Sequence, residues 1–262
     1  MNIRRVLTYA TLALLCSVAT DATDHDYRSV STPPYLGGMW INPYGAHTVV
    51  EPSNPEYRRP EFQPPHYTRK YAAKHVAILR VWENGQAGKT DTDSIIFRRQ
   101  LYCLPYGMPD MMLSDTSLDI QQTPDRITMV GEIDREIRHI WLDRKQLPLD
   151  DVDLGYFGRS VGHWEGRILV VNTIGVKEAV YGPDLLAHSD RMVISERLYL
   201  HSPDILYDDI TVTDPLALTK PEWYRAIWIR AKKDFEPTEY VCDNIREVVG
   251  PDGKVAMKLG NK

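Results

Sequence analysis

Three stretches of the chain, read as strands, each carry one ionisable side chain on an otherwise apolar face. Side chains alternate along a strand, so Met192, Ile194, Glu196, Leu198 and Leu200 share one side, and Glu196 is its exception. Leu206, Asp208, Ile210 and Val212 share the next, interrupted by Asp208, and Ile137, His139 and Trp141 a third, interrupted by His139. An unpaired charge on a buried face costs several kcal/mol, so such a group finds a partner or changes its protonation state. Inside a cavity the same desolvation raises a carboxyl pKa or leaves an imidazole neutral, which suits acid–base work at neutral pH. The competing reading is purely structural: Glu196 pairs with Arg126 or Arg230, and His139 is a satisfied core histidine. A register one residue out would put all three side chains outside.

Other chemistry-bearing residues gather near strand ends and loops. His163 flanks Trp164 in the run Gly158-Arg-Ser-Val-Gly-His-Trp-Glu-Gly166, where Glu165-Gly166 reads as a hairpin turn. Tyr181, followed by His188-Ser189-Asp190, reads as a loop over a barrel mouth. Together these predict His139 and His163 as proton shuttles, Glu196 and Asp208 as acidic or orienting groups, and Tyr181 as a donor. Trp141, Trp164, His188 and Trp228 are the expected ligand-binding side chains. His139, His188, Asp190 and Glu196 could form a mixed nitrogen and oxygen metal site, but no spacing demands one, and no metal or cofactor is expected. Ser160 formally sits in Gly-x-Ser-x-Gly, yet a nucleophile elbow needs a strand before it and a helix after it. A hairpin and a strand follow instead, which argues against a serine hydrolase. No Gly-x-Gly-x-x-Gly fingerprint or phosphate loop is present.

The elements that must position these groups are mostly strands. Arg126 to Ile133 and Glu136 to Leu142 read as two strands joined at Asp134-Arg135, followed by Ile168 to Ile174, Arg191 to Leu200, Ile205 to Thr213, Trp223 to Ala231 and Glu239 to Asp243. Turn residues such as Ser202-Pro203-Asp204 and Asp214-Pro215 separate them. Strands in succession with short connections predict an all-β fold, an antiparallel meander closing into a lipocalin-like barrel. One short helix is expected over Arg69 to Glu83, where Tyr71, His75, Ile78, Leu79 and Trp82 recur at helical spacing. Prolines crowd residues 20–71, which read as an extended arm because proline cannot donate to a sheet ladder. Within it, Gly37-Gly38-Met39-Trp40 could begin the fold proper by seating Trp40. The expected organisation is a signal peptide over 1–19, the arm over 20–71, the barrel over 72–250 and a tail over 251–262.

Length and composition agree. The 262 residues, 43% hydrophobic, suit one large domain or two small ones, and 31 basic against 36 acidic residues disfavour a nucleic-acid partner. Arg4 and Arg5, the apolar run Val6 to Val18, and Ser17 and Ala19 compose a secretory signal cut after Ala19, too short in its apolar part to span a bilayer. Periplasmic or secreted placement, with no integral membrane segment after cleavage, is therefore expected. Cleavage would remove Cys16 and leave Cys103 and Cys242, either one disulfide or two buried thiols. A bridge over so long a loop would constrain the unfolded chain by about 4–5 kcal/mol.

The run from Gly158 to Gly175 also resembles a Gly-x-Ser-x-Gly-x-Trp-Glu-Gly-Asp-Thr-Leu-Val-Val-x-Thr signature. Gly38-x-Trp40, Cys103-x-Pro105-x-Gly107-x-Pro109, Ile120-Gln-Gln-Thr-Pro124, His188-Ser189, Glu196-Arg197, Asp214-Pro215 and Cys242-x-Asn244 fit the same pattern. On these residues the chain resembles a large, mostly uncharacterised family of exported bacterial β-rich proteins, departing from it at His163, Arg167 and Ile168. The resemblance implies export and a β-rich fold and brings no established activity. The functional expectation is a barrel enclosing a small apolar or aromatic molecule, with a cofactor-free lyase, dehydratase or isomerase step. The alternatives are a non-catalytic carrier or sensor of the same fold and an envelope protein whose arm docks a partner.

Overall fold

The computed structural model describes residues 32–44, 54–58, 63–86, 104–133, 136–181, 186–240, 247–249 and 255–257. The expected signal peptide, Cys16, Cys103, Cys242 and the Asp134-Arg135 turn lie outside them. The architecture is a closed β-barrel. Its strands are β1 (Gly38–Ile41), β2 (Ser117–Gln122), β3 (Arg126–Gly131), β4 (Ile137–Leu142), β5 (Arg159–Glu165), β6 (Ile168–Ile174), β9 (Val193–Ser202), β10 (Ile205–Thr213) and β11 (Glu222–Arg230). They follow one another round the wall in chain order, and β1 closes the ring by pairing with both β2 and β11. A small hairpin, β7 (Val180–Tyr181) with β8 (Leu186–Ala187), is inserted between β6 and β9.

The predicted antiparallel meander holds at every neighbouring pair of the wall but one. A closed ring of nine strands cannot alternate direction at every step, so one neighbouring pair has to run parallel. That pair is β4 and β5, with Ile140, Trp141 and Leu142 beside Ser160, Val161 and Gly162. Parallel neighbours need a long crossover, and residues 143–158 supply it, carrying the chain back along the barrel. Gln146 ties this crossover to the wall through hydrogen bonds to the Arg159 and Asn172 carbonyls at 3.2 and 3.1 Å.

The expected boundary between arm and barrel shifts. β1 lies inside the proline-rich stretch but in a proline-free window, Tyr35 to Asn42, so every backbone donor is present. Trp40 is fully buried and donates its Nε1–H to the Leu36 carbonyl at 2.8 Å, while the Arg230 guanidinium lies 4.2 Å above its ring. A further piece of the stretch does lie over the barrel: Tyr207 donates to the Glu56 carbonyl at 2.6 Å beside Tyr57. At the other end, Glu239 and Tyr240 are not in a strand, and residues 241–246 lie outside the described ones. β12 (Glu247–Val249) pairs with β13 (Val255–Met257), which falls in the expected tail, as a separate hairpin.

The helix forms where the spacing put it, as α1 (Arg69–Gln86), three residues longer than expected. It buries Tyr71 and Ile78 against Ala187 and Ala217 outside the barrel. No helix among the described residues is long and apolar enough to cross a membrane.

One barrel end is stoppered by the segment leading into the one-turn helix α2 (Asp110–Leu113), whose Met108, Met111 and Met112 join the barrel core. Unbranched, polarisable methionines suit such an irregular space. Gly107 makes the seating possible. Its φ is +76°, its N–H reaches the Glu136 carboxylate at 3.1 Å, and a Cβ there would lie 2.5 Å from the Tyr156 carbonyl oxygen. Gly107→Ala is therefore expected to cost at least about 1–3 kcal/mol through backbone strain, read as a lowered midpoint in urea unfolding; an unchanged midpoint would refute this account of the stopper.

Candidate functional site

Among the described residues, a band of polar side chains crosses the largely apolar barrel interior. Arg138 on β4, Ser160 on β5, Thr173 on β6, Glu196 on β9 and Asp208 on β10 all point inward and are buried. Their strands are consecutive round the wall, and the register lines them up. Ser160 lies opposite Ile140, two residues from Arg138, and directly opposite Thr173. Glu196 lies opposite Val171 and Ile210, each two residues from the next polar member, Thr173 or Asp208. Diagonal neighbours of this kind are within reach of long side chains.

Arg138 is the hub. Its Nη1 donates to Glu196 Oε1 at 2.8 Å and its Nη2 to Glu196 Oε2, a two-pronged ion pair with both side chains wholly out of solvent. Its Nε–H donates to Ser160 Oγ at 3.2 Å and its Nη2 also reaches Thr173 Oγ1 at 3.0 Å, and those two hydroxyls lie 2.7 Å apart. A guanidinium fork matches a carboxylate in this geometry, and the hydroxyls take the Nε side of the guanidinium. A buried pair of this kind is strongly destabilised when one partner is removed.

Asp208 completes the band differently. It is 0% exposed, and neither carboxyl oxygen has a hydrogen-bond donor among the described residues. Burial pushes its pKa well above the usual carboxylate range, and the neighbouring Glu196 charge pushes it further, outweighing the attraction of Arg138. Both effects favour the protonated form of Asp208, whose O–H would face Glu196. On the adjoining strand Trp228 is also fully buried, and its indole Nε1–H has no acceptor among the described residues. Asp208 pairs with Ala226 and Trp228 with Leu206, so the acid and the indole are diagonal neighbours.

The other expected site residues disperse. β4 runs in the opposite parity to the one predicted: Arg138, Ile140 and Leu142 face inward, while Ile137 is 50% exposed. His139 therefore sits on the outside, paired with Thr128 Oγ1 at 3.2 Å. Trp141 is likewise on the outer surface, flanked by the Arg144 and Arg126 guanidinium groups at 4.1 and 5.3 Å. The run Ile137 to Leu142 has apolar residues in both parities, and the Arg138–Glu196 pair decides between them. Neither Arg126 nor Arg230 pairs with Glu196; one lies over Trp141 and the other over Trp40.

His163 is exposed, 3.4 Å from Glu165, on a shallow depression of about 110 Å³ shared with Arg144, Val161, Val170 and Asn172. Trp164 does face inward and packs against the barrel core. Tyr181 is in β7, but its side chain is outside the described residues. His188 is buried outside the barrel beside β8, its Nδ1–H donating to the Ser189 carbonyl at 2.9 Å; burial lowers its pKa and keeps it neutral. Among the described residues no group of three or more His, Cys, Asp or Glu is arranged to hold a metal ion.

With this geometry in hand, comparison with known proteins adds nothing further: no protein-family model matches the chain, and no curated protein matches it.

Arg138, Ser160 and Thr173 were missed from sequence. The signal that could have found Arg138 is the demand for a cation created by two inward carboxyl groups on adjacent strands. Two outcomes follow. Arg138→Met is expected to cost about 3–5 kcal/mol in urea unfolding, because Glu196 is left charged and alone; the double variant with Glu196→Leu is expected to recover part of that loss, and no recovery would refute the pairing. For Asp208 the sign runs against the usual carboxylate. An unfolded Asp ionises near about 3.9, while the buried group keeps its proton, so the native state binds more protons and stability falls as pH rises from there toward the native pKa. Asp208→Asn is expected to remove that slope, so its unfolding free energy should gain on the parent as pH increases; parallel curves would show Asp208 ionised in the native protein.

Proposed function

We propose that the protein takes a small apolar or aromatic molecule into the barrel interior and moves a proton on it, with Asp208 as the acid. The observation that carries this reading is Asp208 itself, a wholly buried carboxyl without a hydrogen-bond donor among the described residues. Buried polar groups are normally paired, and a carboxylic acid kept neutral near pH 7 is what general acid catalysis uses. Glu196 and Arg138 are positioning residues in this scheme: the ion pair fixes Glu196, and the Glu196 charge helps hold the proton on Asp208. Asp208 gives its proton to an oxygen or unsaturated carbon of the bound molecule and regains one when the product forms. A lyase, dehydratase or isomerase step needs no cofactor for this. His139 and His163 drop out of the scheme because both are exposed on the outer wall.

Export to the periplasm or beyond, a Cys103–Cys242 bridge and membership of the exported bacterial family that the Gly158–Gly175 run resembles belong to the same reading. A non-catalytic carrier is the second reading, favoured by the apolar side chains, Leu198, Leu206, Ile210 and Trp228, that surround the acid.

Two measurements test the proposal. Infrared difference spectra of the parent against Asp208→Asn at neutral pH should show the carbonyl stretch of a protonated carboxyl only in the parent. Native mass spectrometry of protein from its own host should show a bound small molecule that Asp208→Leu loses and that His139→Ala and His163→Ala retain. A carboxylate spectrum for Asp208, or a bound molecule indifferent to Asp208→Leu, would overturn the interior site. Turnover of the released molecule by the parent but not by Asp208→Asn separates the enzyme from the carrier.

A further inference from the structure

We infer that the outer wall carries a binding site of its own, for a single ring bearing adjacent hydroxyl groups, a pyranose sugar or a cyclic polyol. It lies in the depression beside the parallel strand pair and shares no residue with the interior band.

The depression has a cause in the fold. β4 and β5 run side by side only as far as Leu142 and Gly162. There the chain leaves the wall: Asp143 donates its N–H to the Gly162 carbonyl at 2.8 Å and takes a left-handed conformation, φ 54°. β5 continues through His163 to Glu165 with a strand partner only on its β6 side among the described residues. On the outer face, Val161 lies opposite Asn172 and His163 opposite Val170. These four side chains, with Asp143 and Arg144 from the turn, line a space of about 110 Å³.

Its floor is apolar and its rim is polar. Val161 is 8% exposed and, with Val170, offers the floor. The rim holds one group that only accepts, the Asp143 carboxylate, one that only donates, the Arg144 guanidinium, and two that do both, the Asn172 amide and the His163 imidazole. Each has capacity to spare. Neither Asp143 nor Arg144 has a side-chain hydrogen bond among the described residues, and Arg144 is held over the Trp141 ring at 4.1 Å, which leaves its N–H groups for a guest. Asn172 Oδ1 accepts from Gln146 Nε2 at 3.1 Å, so the amide is fixed with its NH2 spare. His163 turns Nε2 to Glu165 at 3.4 Å and keeps Nδ1.

Such a rim selects hydroxyls. A hydroxyl both donates and accepts, so neighbours on one ring can give an O–H to Asp143 and take hydrogen bonds from Arg144 and Asn172. The C–H face of the ring then covers Val161 and Val170. An ionised guest gains less, because both signs of charge surround the space. An anion drawn to Arg144 meets Asp143, Asp125 near the same guanidinium, and Glu165. A cation drawn to Asp143 meets Arg144 and, across Trp141, Arg126. The flanking Arg197 is engaged by Glu165 at 3.2 Å, and Arg159 by the Lys145 carbonyl at 3.1 Å. The space is well below the roughly 300–1,000 Å³ of pockets that enclose drug-sized ligands, so one ring is the limit and affinity is on the order of millimolar.

The test follows the methyl resonances of Val161 and Val170 by NMR while the full chain is titrated with methyl α-glucopyranoside, methyl α-galactopyranoside or myo-inositol. Cyclohexanol, inorganic phosphate and ethylamine are the controls for a lone hydroxyl, an anion and a cation. At least one of the three rings is expected to shift both valines with a dissociation constant on the order of millimolar, and the controls to bind at least about tenfold more weakly. Val170→Trp fills the depression and is expected to abolish the shift at Val161. Arg144→Gln, and Asp143→Asn, which tolerates the left-handed backbone, should each weaken binding about three- to tenfold. Maltose separates two sources of the ring: binding as tight as the glucoside assigns the end of a glycan chain, and weaker binding assigns a free sugar.

Urea unfolding confirms that each variant is folded, and the exposed Arg144→Gln carries the test if Val170→Trp does not fold. No shift of either valine with any ring, or shifts that survive both Val170→Trp and Arg144→Gln, would overturn the site. A control binding at these valines as tightly as the rings would overturn the class of guest.

Discussion

A guanidinium and a carboxylate, both withdrawn completely from water inside a barrel of apolar side chains, set the terms for the rest of this molecule. Desolvating Arg138 and Glu196 is costly, and only good geometry with every remaining donor satisfied offsets it. The fork on Glu196 and the hydroxyls of Ser160 and Thr173 give each of the three guanidinium nitrogens an acceptor. The four residues come from β4, β5, β6 and β9, so the pair couples the registers of four strands. Slipping β4 by one residue would turn Arg138 to solvent and leave Glu196 charged and alone in the interior. Burial raises the pKa of Asp208, and the same pair adds to it: with the one buried guanidinium of the band engaged, a second carboxylate beside Glu196 lacks a counter-charge, which favours the protonated form.

Closure of the wall is the second constraint. An open meander would leave two unpaired edges, which invite association with other strands. Here the four-residue β1 removes both by pairing on one side with β2 and on the other with β11. Adding that ninth strand forces one parallel pair, and the parallel pair forces the long crossover of residues 143–158. Closure also leaves an end to be filled, and the segment carrying Met108, Met111 and Met112 fills it with deformable side chains rather than a rigid cap. Asp208 thus lies within a closed wall, among packed apolar side chains.

Much of this was legible in the chain. β6 and β10 begin and end where the sequence put them, because their apolar alternation is unambiguous and turn residues bound them. Glu196 and Asp208 were placed inside for the same reason: each is a lone charge on a face of Leu, Ile and Val. Helical spacing identified α1, and the isolated Trp40 behind two glycines marked where the fold starts. Alternation is a local property, which each of these segments carries in its own residues.

What the sequence alone determined, then, was an all-β barrel with two carboxyl groups turned into it. The tertiary structure decided which cation meets them. Ile137, Ile140, Trp141 and Leu142 give β4 apolar residues in both parities, so nothing local tells whether Arg138 or His139 faces inward. The answer depends on Glu196, 58 residues further along the chain and brought near by the wall's curvature. The parallel pair and the stopper are of the same kind, since they follow from how many strands close the ring and how wide an end that leaves. Local pattern sets which face of a strand is apolar; a buried charge can override that pattern only through a partner that folding alone brings within reach.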